Sequence, residues 1–235
     1  YQYAQMCGTG RVVYASSGCS IYGSSAPLPL KEDVMSMHLT SPYQITKMLG
    51  ELYANYFINH YELPVIKTRF FNSYGPGEVP GQYRNVIPNF IFRAISGFPL
   101  PLTGDGDETR DFTYVMDIVD GLLRAGYYEG AIGQEVNIAS GSEVNILKMA
   151  ERINELTGNR AGIIRTKRRQ WDTKKRLLAS IERAKDLLGY TPQTPFDEGL
   201  ELTIKWFRDN WDQIKRDAEF PPGMSSAVFG VITKK

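Results

Sequence analysis

The sequence is poor in cysteine, in net charge and in long apolar runs. Its 235 residues include two cysteines and carry a formal net charge of +1. Cys7 and Cys19 match no disulfide framework or zinc spacing, so we expect no metal site and a reducing, cytoplasmic location. No apolar run approaches the roughly 20 residues that cross a bilayer, and no basic-then-apolar leader is present. Because a nearly neutral chain has no bulk attraction for nucleic acid, we expect neither nucleic-acid nor membrane partners.

Apolar strands alternate with longer amphipathic segments in the first part of the chain. Strands are predicted at 11–15, in LPVIKTRFF from Leu63, and in QEVNIAS. A helix is predicted behind the capping residue Ser41, from Pro42 to His60. It carries an apolar stripe on one face, formed by Ile45, Leu49, Leu52 and Tyr56. This alternation predicts an α/β protein with a parallel sheet.

Further helices are predicted in the second part of the chain. They are expected from Pro88 to Ser96, from near Val115, from Asn145 to Gly158, from Ser180 to Leu188, and from Asp197 to about Lys215. Apolar side chains on two of them are expected to face inward, namely Ile118, Leu122, Leu123, Leu200, Trp206 and Phe207.

Tyr43 and Lys47 are the strongest candidates for a catalytic pair. Four residues apart on a helix, their side chains lie on one face, one turn from each other. A tyrosine hydroxyl has a reference pKa of about 10, and a nearby ammonium favours the phenolate, which can act as a general acid or base. The alternative is an ordinary amphipathic helix, but no other tyrosine of this sequence has a lysine four residues on. His38 and His60 have no carboxylate or cysteine spacing around them and receive no role.

Five blocks, in order, resemble the extended short-chain dehydrogenase/reductase family, the NAD-dependent nucleotide-sugar epimerases and dehydratases. The blocks are YASSGCSIYG, SPYQITK, RFFNSYGPG, GDGDETRDFTYVMDIVDG and RRQWDTKKRLLASIERAKDLLGYTP, which together cover about Arg11 to Pro195. Each block alone is a weak signal, and their order makes the resemblance specific. The resemblance implies a Rossmann-like doubly wound parallel sheet with a smaller C-terminal substrate-binding lobe, NAD as cofactor and a nucleotide-diphosphate sugar as substrate.

The resemblance also implies roles for individual residues near the cofactor. Tyr43 would remove a proton from a sugar hydroxyl, and Lys47 would hold the nicotinamide ribose and keep the phenolate ionised. Ser16 is expected to lie against the cofactor. A serine or threonine normally hydrogen-bonds the same sugar hydroxyl. It stands four residues before the tyrosine of the YG pair, which here is Gly18, so Ser17 is the first candidate and Ser20 the second.

On the substrate side, the resemblance assigns contacts to the diphosphate or the nucleotide. Asn72 and Asn85 match family positions near these groups. Arg110 and the pair Arg169–Asp172 match an anion clamp, because two guanidinium groups can fork onto a diphosphate. Taken alone, these charged residues would more often form surface ion pairs.

Two departures from the family pattern shape the expected reaction and the domain organisation. The G-x-x-G-x-x-G turn that receives the NAD pyrophosphate is absent, so the chain is expected to begin partway into the fold. Only the later strands of the dinucleotide-binding domain are then expected, at 1–75, with a substrate-binding lobe at 76–235 and residues 113–140 returning to the first domain's sheet. Without this turn, the chain could instead be a non-catalytic sugar-nucleotide-binding fragment.

The second departure concerns the residues after Gly18. Dehydratases and decarboxylases of the family place acidic residues there, whereas this chain has Cys19 and Ser20. Without an acid to drive elimination, epimerisation is the simpler chemistry, at sugar C4 through a transient 4-keto intermediate. A dehydratase or reductase of the same family is the alternative. The resemblance further implies a homodimer, packed through the helix that bears the tyrosine.

Overall fold

The computed structural model describes residues 1–81, 85–167 and 174–218. The helices are α1 (Gln2–Met6), α2 (Gly18–Ile21), α3 (Pro42–Tyr61), α4 (Val86–Ile95), α5 (Val115–Tyr127), α6 (Ile146–Thr157), α7 (Glu182–Leu188), α8 (Phe196–Asp209) and α9 (Trp211–Asp217). The strands are β1 (Val12–Ser17), β2 (Val65–Phe70), β3 (Ser73–Tyr74), β4 (Leu100–Thr103), β5 (Thr109–Arg110), β6 (Thr113–Tyr114), β7 (Glu135–Ile138), β8 (Val144–Asn145) and β9 (Ile163–Thr166).

The chain divides into two compact units, each built from three stretches of sequence. The first unit contains Tyr1–Ser73, Asp111–Glu143 and Leu177–Gln193. The second contains Tyr74–Arg110, Val144–Arg176 and Thr194–Lys235, within the described ranges. Residues 113–140, which the sequence predicts to rejoin the first domain, supply β7 to its sheet.

The sheet of the first unit has the order β1-β2-β7, with both pairings parallel. Ser17, the last residue of β1, is in register with Phe70, which in turn is in register with Ile138. The three carboxyl ends therefore meet at one edge. In open α/β sheets this edge is where ligands bind.

Helices cover both faces of this sheet. On one face, Ala54 of α3 packs in a cluster with Val12 and Val65. On the other, Ile118 of α5 and Leu188 of α7 belong to the cluster that contains Ile66. Neighbouring residues of a strand point to opposite faces, which is why Val65 and Ile66 belong to different clusters. The predicted Rossmann-like, parallel α/β arrangement is confirmed.

A third apolar cluster lies beyond the carboxyl ends of the strands. It joins Ile21 and Tyr22, at the end of α2, to Phe71 after β2 and Ala139 after β7. All four are 0–1 % exposed. This packing fixes the short helix α2 directly after β1.

Helix α3 has the predicted bounds to within one residue, but its apolar stripe faces outward. Ile45, Leu49, Leu52 and Tyr56 are 44–47 % exposed, whereas Met48, Glu51 and Ala54 are buried. The sheet selects the face with the small Ala54 and with Glu51, whose charge has a buried partner. The prediction that Leu123 of α5 faces inward is wrong, because this residue is 69 % exposed.

The second unit holds the parallel pair β4–β9 and the antiparallel pair β5–β8. Helix α6 begins at the predicted cap, where the Asn145 side chain accepts from Lys148 N, and ends at Gly158. The helix predicted from Asp197 to Lys215 is divided into α8 and α9 at Asn210, whose side-chain amide donates to Trp206 O at 2.9 Å. Leu200 and Phe207 are buried as predicted, and Trp206 is partly exposed.

Candidate active site

The start of α3 places Tyr43 in the first helical turn. The Ser41 hydroxyl accepts from Gln44 N at 3.3 Å, and Gln44 Oε1 accepts from Ser41 N at 3.2 Å. This reciprocal capping box, with Pro42 at the first helical position, defines where the helix begins. The Tyr43 side chain is 56 % exposed, so its hydroxyl is accessible to a ligand.

Lys47 joins Tyr43 to the end of β1. Its ammonium Nζ lies 5.7 Å from the centroid of the Tyr43 ring, and it donates to the backbone oxygen of Ala15 at 2.9 Å. Ala15 is two residues before the end of the strand. The structure therefore brings the predicted pair together at the carboxyl edge of the parallel sheet, the edge where open α/β sheets generally bind ligands.

Ser17 and Ser20 lie together beside this edge. Ser17 precedes α2 and Ser20 is within it, both are buried, and the Ser17 hydroxyl donates to Ser20 Oγ at 3.0 Å. Gly18 stands between them, and the Phe71 ring occupies the space where a side chain on Gly18 would begin. A hydroxyl at position 18 has no room here, which gives a physical reason for the departure from the family pattern.

Ser16 is turned into the core. It is 3 % exposed, and its hydroxyl donates to Glu51 Oε1 in a short hydrogen bond. Side chains alternate along a strand, so Ser16 and Ser17 point to opposite faces. In this structure the Ser16 hydroxyl is thus engaged in the protein interior.

Glu51 and Arg69 form a buried ion pair that the sequence reading missed. Arg69 Nε and Nη2 donate to the two Glu51 oxygens at 3.0 and 2.7 Å, and the side chains are 1 % and 2 % exposed. Arg69 Nη1 also donates to the Tyr22 hydroxyl at 3.0 Å, which itself donates to Asn137 Oδ1 at 2.7 Å. The signal in the sequence was a charged residue near the end of the apolar strand VIKTRF.

Burial raises the pKa of two groups in and beside this network. It raises the pKa of the Tyr22 hydroxyl to about 12, against the lowering effect of the neighbouring Arg69 charge. Burial also raises the pKa of Glu32, although the Asn137 N–H, which donates to Glu32 Oε1 at 2.8 Å, acts in the opposite direction. The network consequently keeps Tyr22 protonated at neutral pH.

Asn72 follows β2 and is held by Asp111. Its side-chain amide donates to the Asp111 backbone oxygen at 3.2 Å. The Asp111 carboxylate is fully buried and accepts from Ser140 N and Oγ, Gly141 N and Ala179 N at 2.6–3.2 Å. Burial raises the pKa of this carboxyl, and the four donors oppose the increase. Asp111 ties three chain segments together around Asn72.

The other predicted substrate contacts belong to the second unit or lie outside the described residues. Asn85, before α4, donates through its side-chain amide to Glu78 Oε1 at 3.1 Å. Arg110, in β5, donates to the backbone oxygen of Thr109 at 2.9 Å. Arg169 and Asp172 fall outside the described residues.

Among the described residues, no predicted site residue lines an open cavity of about 360 Å³ in the first unit. Its walls are highly charged, and they are formed by Lys31, Glu32, Asp33, Gln134, Ser180, Glu182, Arg183, Asp186 and Leu187. Within the described ranges, no group of three or more His, Cys, Asp or Glu side chains could hold a metal ion. Across the same residues, none of the helices has both the length and the apolar character that crossing a bilayer requires.

The side chains present fit the nicotinamide end of a dinucleotide. Tyr43 and Lys47 offer a hydroxyl and an ammonium at the carboxyl end of a parallel strand, and such groups can hydrogen-bond ribose hydroxyls. The glycine-rich turn that would receive the pyrophosphate is not in this sequence.

Comparisons with known proteins agree with this geometry. Residues 1–139 match the model of the NAD dependent epimerase/dehydratase family. The chain is 33 % identical over 206 residues to a UDP-glucose 4-epimerase of Mycolicibacterium smegmatis, covering 88 % of this chain and 65 % of the relative. It is 32 % identical over 217 residues to a UDP-N-acetyl-alpha-D-glucosaminuronate decarboxylase of Bacillus cytotoxicus, covering 88 % and 66 %.

A solved structure is closer still in sequence. An epimerase from the methanogen Methanothermobacter thermautotrophicus superposes with a TM-score of 0.92 at 55 % identity, covering 93 % of this chain and 65 % of that chain. This chain thus spans slightly less than two thirds of the length of the proteins it resembles.

Proposed function

The chain belongs to the NAD dependent epimerase/dehydratase family, and from that premise we propose that it epimerises a UDP-sugar at C4. The observation that carries the proposal is the Tyr43–Lys47 pair at the carboxyl end of β1, with the Lys47 ammonium 5.7 Å from the Tyr43 ring centroid.

Tyr43 and Lys47 have distinct tasks in this proposal. The Tyr43 phenolate takes the proton from the sugar 4-hydroxyl and returns it after the sugar has been reduced again. The Lys47 ammonium stabilises the phenolate and binds the nicotinamide ribose. NAD, when bound, would supply the reversible hydride transfer that this reaction needs. A positive charge beside a phenol favours its ionised form, which is the form that can accept a proton.

The Ser17–Ser20 pair supplies the hydroxyl anchor for the sugar oxygen. Because Ser17 donates to Ser20, the Ser20 proton is oriented away from Ser17 and can be donated to a substrate oxygen. Two coupled hydroxyls therefore take the place of the single one that the family carries at position 18. Hydrogen bonds of this kind position the substrate and contribute to the rate through orientation.

Epimerisation is favoured over elimination because the acids that elimination needs are missing from their expected positions in the sequence. Cys19 and Ser20 stand where dehydratases and decarboxylases of the family have acids. Glu51, whose carboxylate contacts the neighbouring Ser16, is buried and paired with Arg69. The Glu51 carboxylate is therefore engaged in the protein core, whereas an acid that drives elimination must contact the substrate.

Substrate binding is proposed to use Asn72, Asn85, Arg110 and the pair Arg169–Asp172. Of these, the arginines are the groups best suited to a diphosphate, because a guanidinium can donate two parallel hydrogen bonds. Changing Arg110 to Gln is expected to weaken UDP binding about tenfold in calorimetry.

We also propose that two copies associate through the outward face of α3. Ile45, Leu49, Leu52 and Tyr56 form its apolar stripe, and each is nearly half exposed. A contiguous exposed apolar face of this kind is typical of an association surface. Light scattering should report a dimer for the chain, and the double change of Leu49 and Leu52 to Glu should give a monomer.

The experiment that tests the reaction compares the chain with its Tyr43→Phe variant. UDP-glucose and NAD⁺ are supplied, and UDP-galactose is measured by chromatography. The variant should lose turnover by about three orders of magnitude or more while it retains UDP-sugar binding, because only the proton acceptor is removed. The control is Tyr53→Phe, an exposed tyrosine on the same helix, which should react at the original rate. Equal turnover in the chain and in Tyr43→Phe contradicts the proposal.

Two other results would assign a different function. A stable 4-keto-6-deoxy product would indicate a dehydratase. Calorimetry that detects UDP-sugar binding but no NAD binding would indicate a non-catalytic sugar-nucleotide-binding module.

A further inference from the structure

Tyr14 connects β1 to the turn of α3 that bears Lys47. It lies three residues before Ser17, and its hydroxyl donates to the backbone oxygen of Lys47 at 3.2 Å. Its ring packs in the cluster formed by Ala54 and Val65. The strand and the helix are thus joined at the residue that carries the ammonium.

Gly50 makes this contact possible. A Cβ on Gly50 would lie 1.9 Å from the Tyr14 hydroxyl oxygen and 2.2 Å from Cζ, so no larger residue fits without displacing the ring. A glycine inside a helix is less favourable than alanine by roughly 0.5–1 kcal/mol. Gly50 therefore makes helix α3 locally less stable at the turn that Tyr14 contacts.

The Lys47 ammonium lies near two aromatic rings. Nζ is 6.0 Å from the centroid of Tyr14 and 5.7 Å from that of Tyr43, while it donates to Ala15 O at 2.9 Å. Both distances are within the range of a cation–π attraction. Tyr14 thus touches Lys47 twice, through its hydroxyl at the backbone and through its ring at the ammonium.

The Tyr14 hydroxyl stays protonated at neutral pH, because its pKa is raised. Burial is the largest effect that raises the pKa of Tyr14, followed by the charges of Glu51 and Tyr43 on α3. Tyr1, whose ring lies 5.9 Å from that of Tyr14, has its own pKa raised by burial and by the charges of Tyr14 and Glu51. The hydroxyl can therefore donate to Lys47 O throughout the working pH range.

We propose that Tyr14 is a positioning residue for the Tyr43–Lys47 pair. Its hydroxyl fixes the turn of α3 that carries Lys47, and its ring retains the ammonium beside Tyr43. This inference rests on the function proposed above, since it concerns how the base of that reaction is held.

The test measures the ionisation of Tyr43 directly. The chain is labelled with [¹³Cζ]tyrosine, the Tyr43 signal is assigned from Tyr43→Phe, and its titration is followed by NMR. Lys47→Met shows the full effect of losing the ammonium. Tyr14→Leu removes ring and hydroxyl, and it should move the Tyr43 titration upward by part of the shift that Lys47→Met gives, because the ammonium is then no longer held beside Tyr43. Gly50→Ala should move it in the same direction by displacing the ring.

The control is Val12→Ala. Val12 belongs to the same apolar cluster as Tyr14, so this change loosens the packing without removing a contact to Lys47. It should lower the melting temperature and leave the Tyr43 titration where it was. A purely structural role for Tyr14 predicts that Tyr14→Leu behaves in the same way.

The outcomes separate this inference from the proposed function. If Lys47→Met shifts the Tyr43 titration and neither Tyr14→Leu nor Gly50→Ala does, the positioning role is refuted and the proposed function stands. If Lys47→Met leaves the titration unmoved, the catalytic pair itself is refuted. Should Tyr14→Leu fail to fold, Gly50→Ala and Tyr14→Met decide the question by the same criterion.

Discussion

The Phe71 ring occupies the position where a side chain on Gly18 would begin. A Cβ built on Gly18 would lie 2.0 Å from Phe71 Cε2 and 2.5 Å from two further ring atoms. Phe71 is 1 % exposed and is enclosed by the cluster beyond the strand ends, so its ring has little room to move. Position 18 and position 71 are therefore coupled, although 52 residues of chain lie between them.

Restoring a hydroxyl at position 18 should destabilise the chain. Gly18→Ser is expected to lower the free energy of unfolding by about 2–3 kcal/mol, because an extra side chain is forced into a filled core. Phe71→Ala alone should cost about 3–5 kcal/mol through the cavity it leaves. The double variant should be clearly more stable than the sum of the two losses, as measured by urea unfolding. Gly10→Ser is the control, since nothing lies within 4 Å of a Cβ there. Additive losses would contradict the coupling.

Removing the Asp111 carboxylate should destabilise the first unit, because this carboxylate connects three of its chain segments. Asp111→Ala leaves three backbone N–H groups without their acceptor and removes the shorter hydrogen bond of the Ser140 hydroxyl, and about 3 kcal/mol or more of unfolding free energy should be lost. Asp111→Asn should cost nearly as much, because its NH₂ group would face donors. Asp186→Ala, at an exposed position of the same unit, should change little. If Asp111→Asn were as stable as the unaltered chain, one side-chain oxygen at position 111 would be sufficient to hold these segments together.

The buried Glu51–Arg69 pair should be costly to break and less costly to replace. Glu51→Gln leaves the Arg69 charge uncompensated in the core and should lower the unfolding free energy by about 3–5 kcal/mol. Changing both residues to Met should cost less than the sum of the single changes, because no unpaired charge then remains. Ser16→Ala keeps the ion pair and should cost about 1 kcal/mol. Chemical denaturation measures these variants and the two single changes to Met, and a double variant as unstable as the sum would refute the coupling.

Glu135 should make stability depend on pH in the acid range. Burial acts to raise the pKa of Glu135, but the hydrogen bond and charge of Lys67, with nearby guanidinium groups, outweigh it and lower that pKa below its usual value. The carboxylate contacts Lys67 Nζ at 2.8 Å and Arg183 Nη1 at 3.0 Å. A carboxyl whose pKa is lowered on folding stabilises the folded chain at pH values above the pKa of the unfolded state, about 4.3. This contribution is lost as the pH falls through the pKa of the folded state.

The measurement compares Glu135→Gln with the unaltered chain by urea unfolding at pH 7 and pH 3. The variant should be less stable by about 1–2 kcal/mol at pH 7, and the difference should shrink at pH 3. Glu182→Gln, whose exposed pair with Lys185 contributes little, serves as the control. A difference that grows on acidification would show that the sign is wrong.

Much of the fold follows from local sequence patterns. The alternation of short apolar runs with capped helices predicted the parallel sheet, and Asn145 and Gly158 correctly bounded α6. These features depend on residues within a turn or two of each other, so the sequence displays them directly. The outward direction of the α3 stripe could not be predicted, because periodicity shows that a helix has an apolar face but does not show which face the sheet will cover.

The spacing of Tyr43 and Lys47 was determined by the sequence alone, since a helix places residues four apart on one side. Only the tertiary structure decided that the Lys47 ammonium reaches Ala15 O, that Ser16 turns into the core, and that Phe71 excludes a side chain from position 18. Each of these contacts joins residues more than 30 positions apart in the chain. Their formation depends on how strands and helices pack, and no short stretch of sequence records that packing.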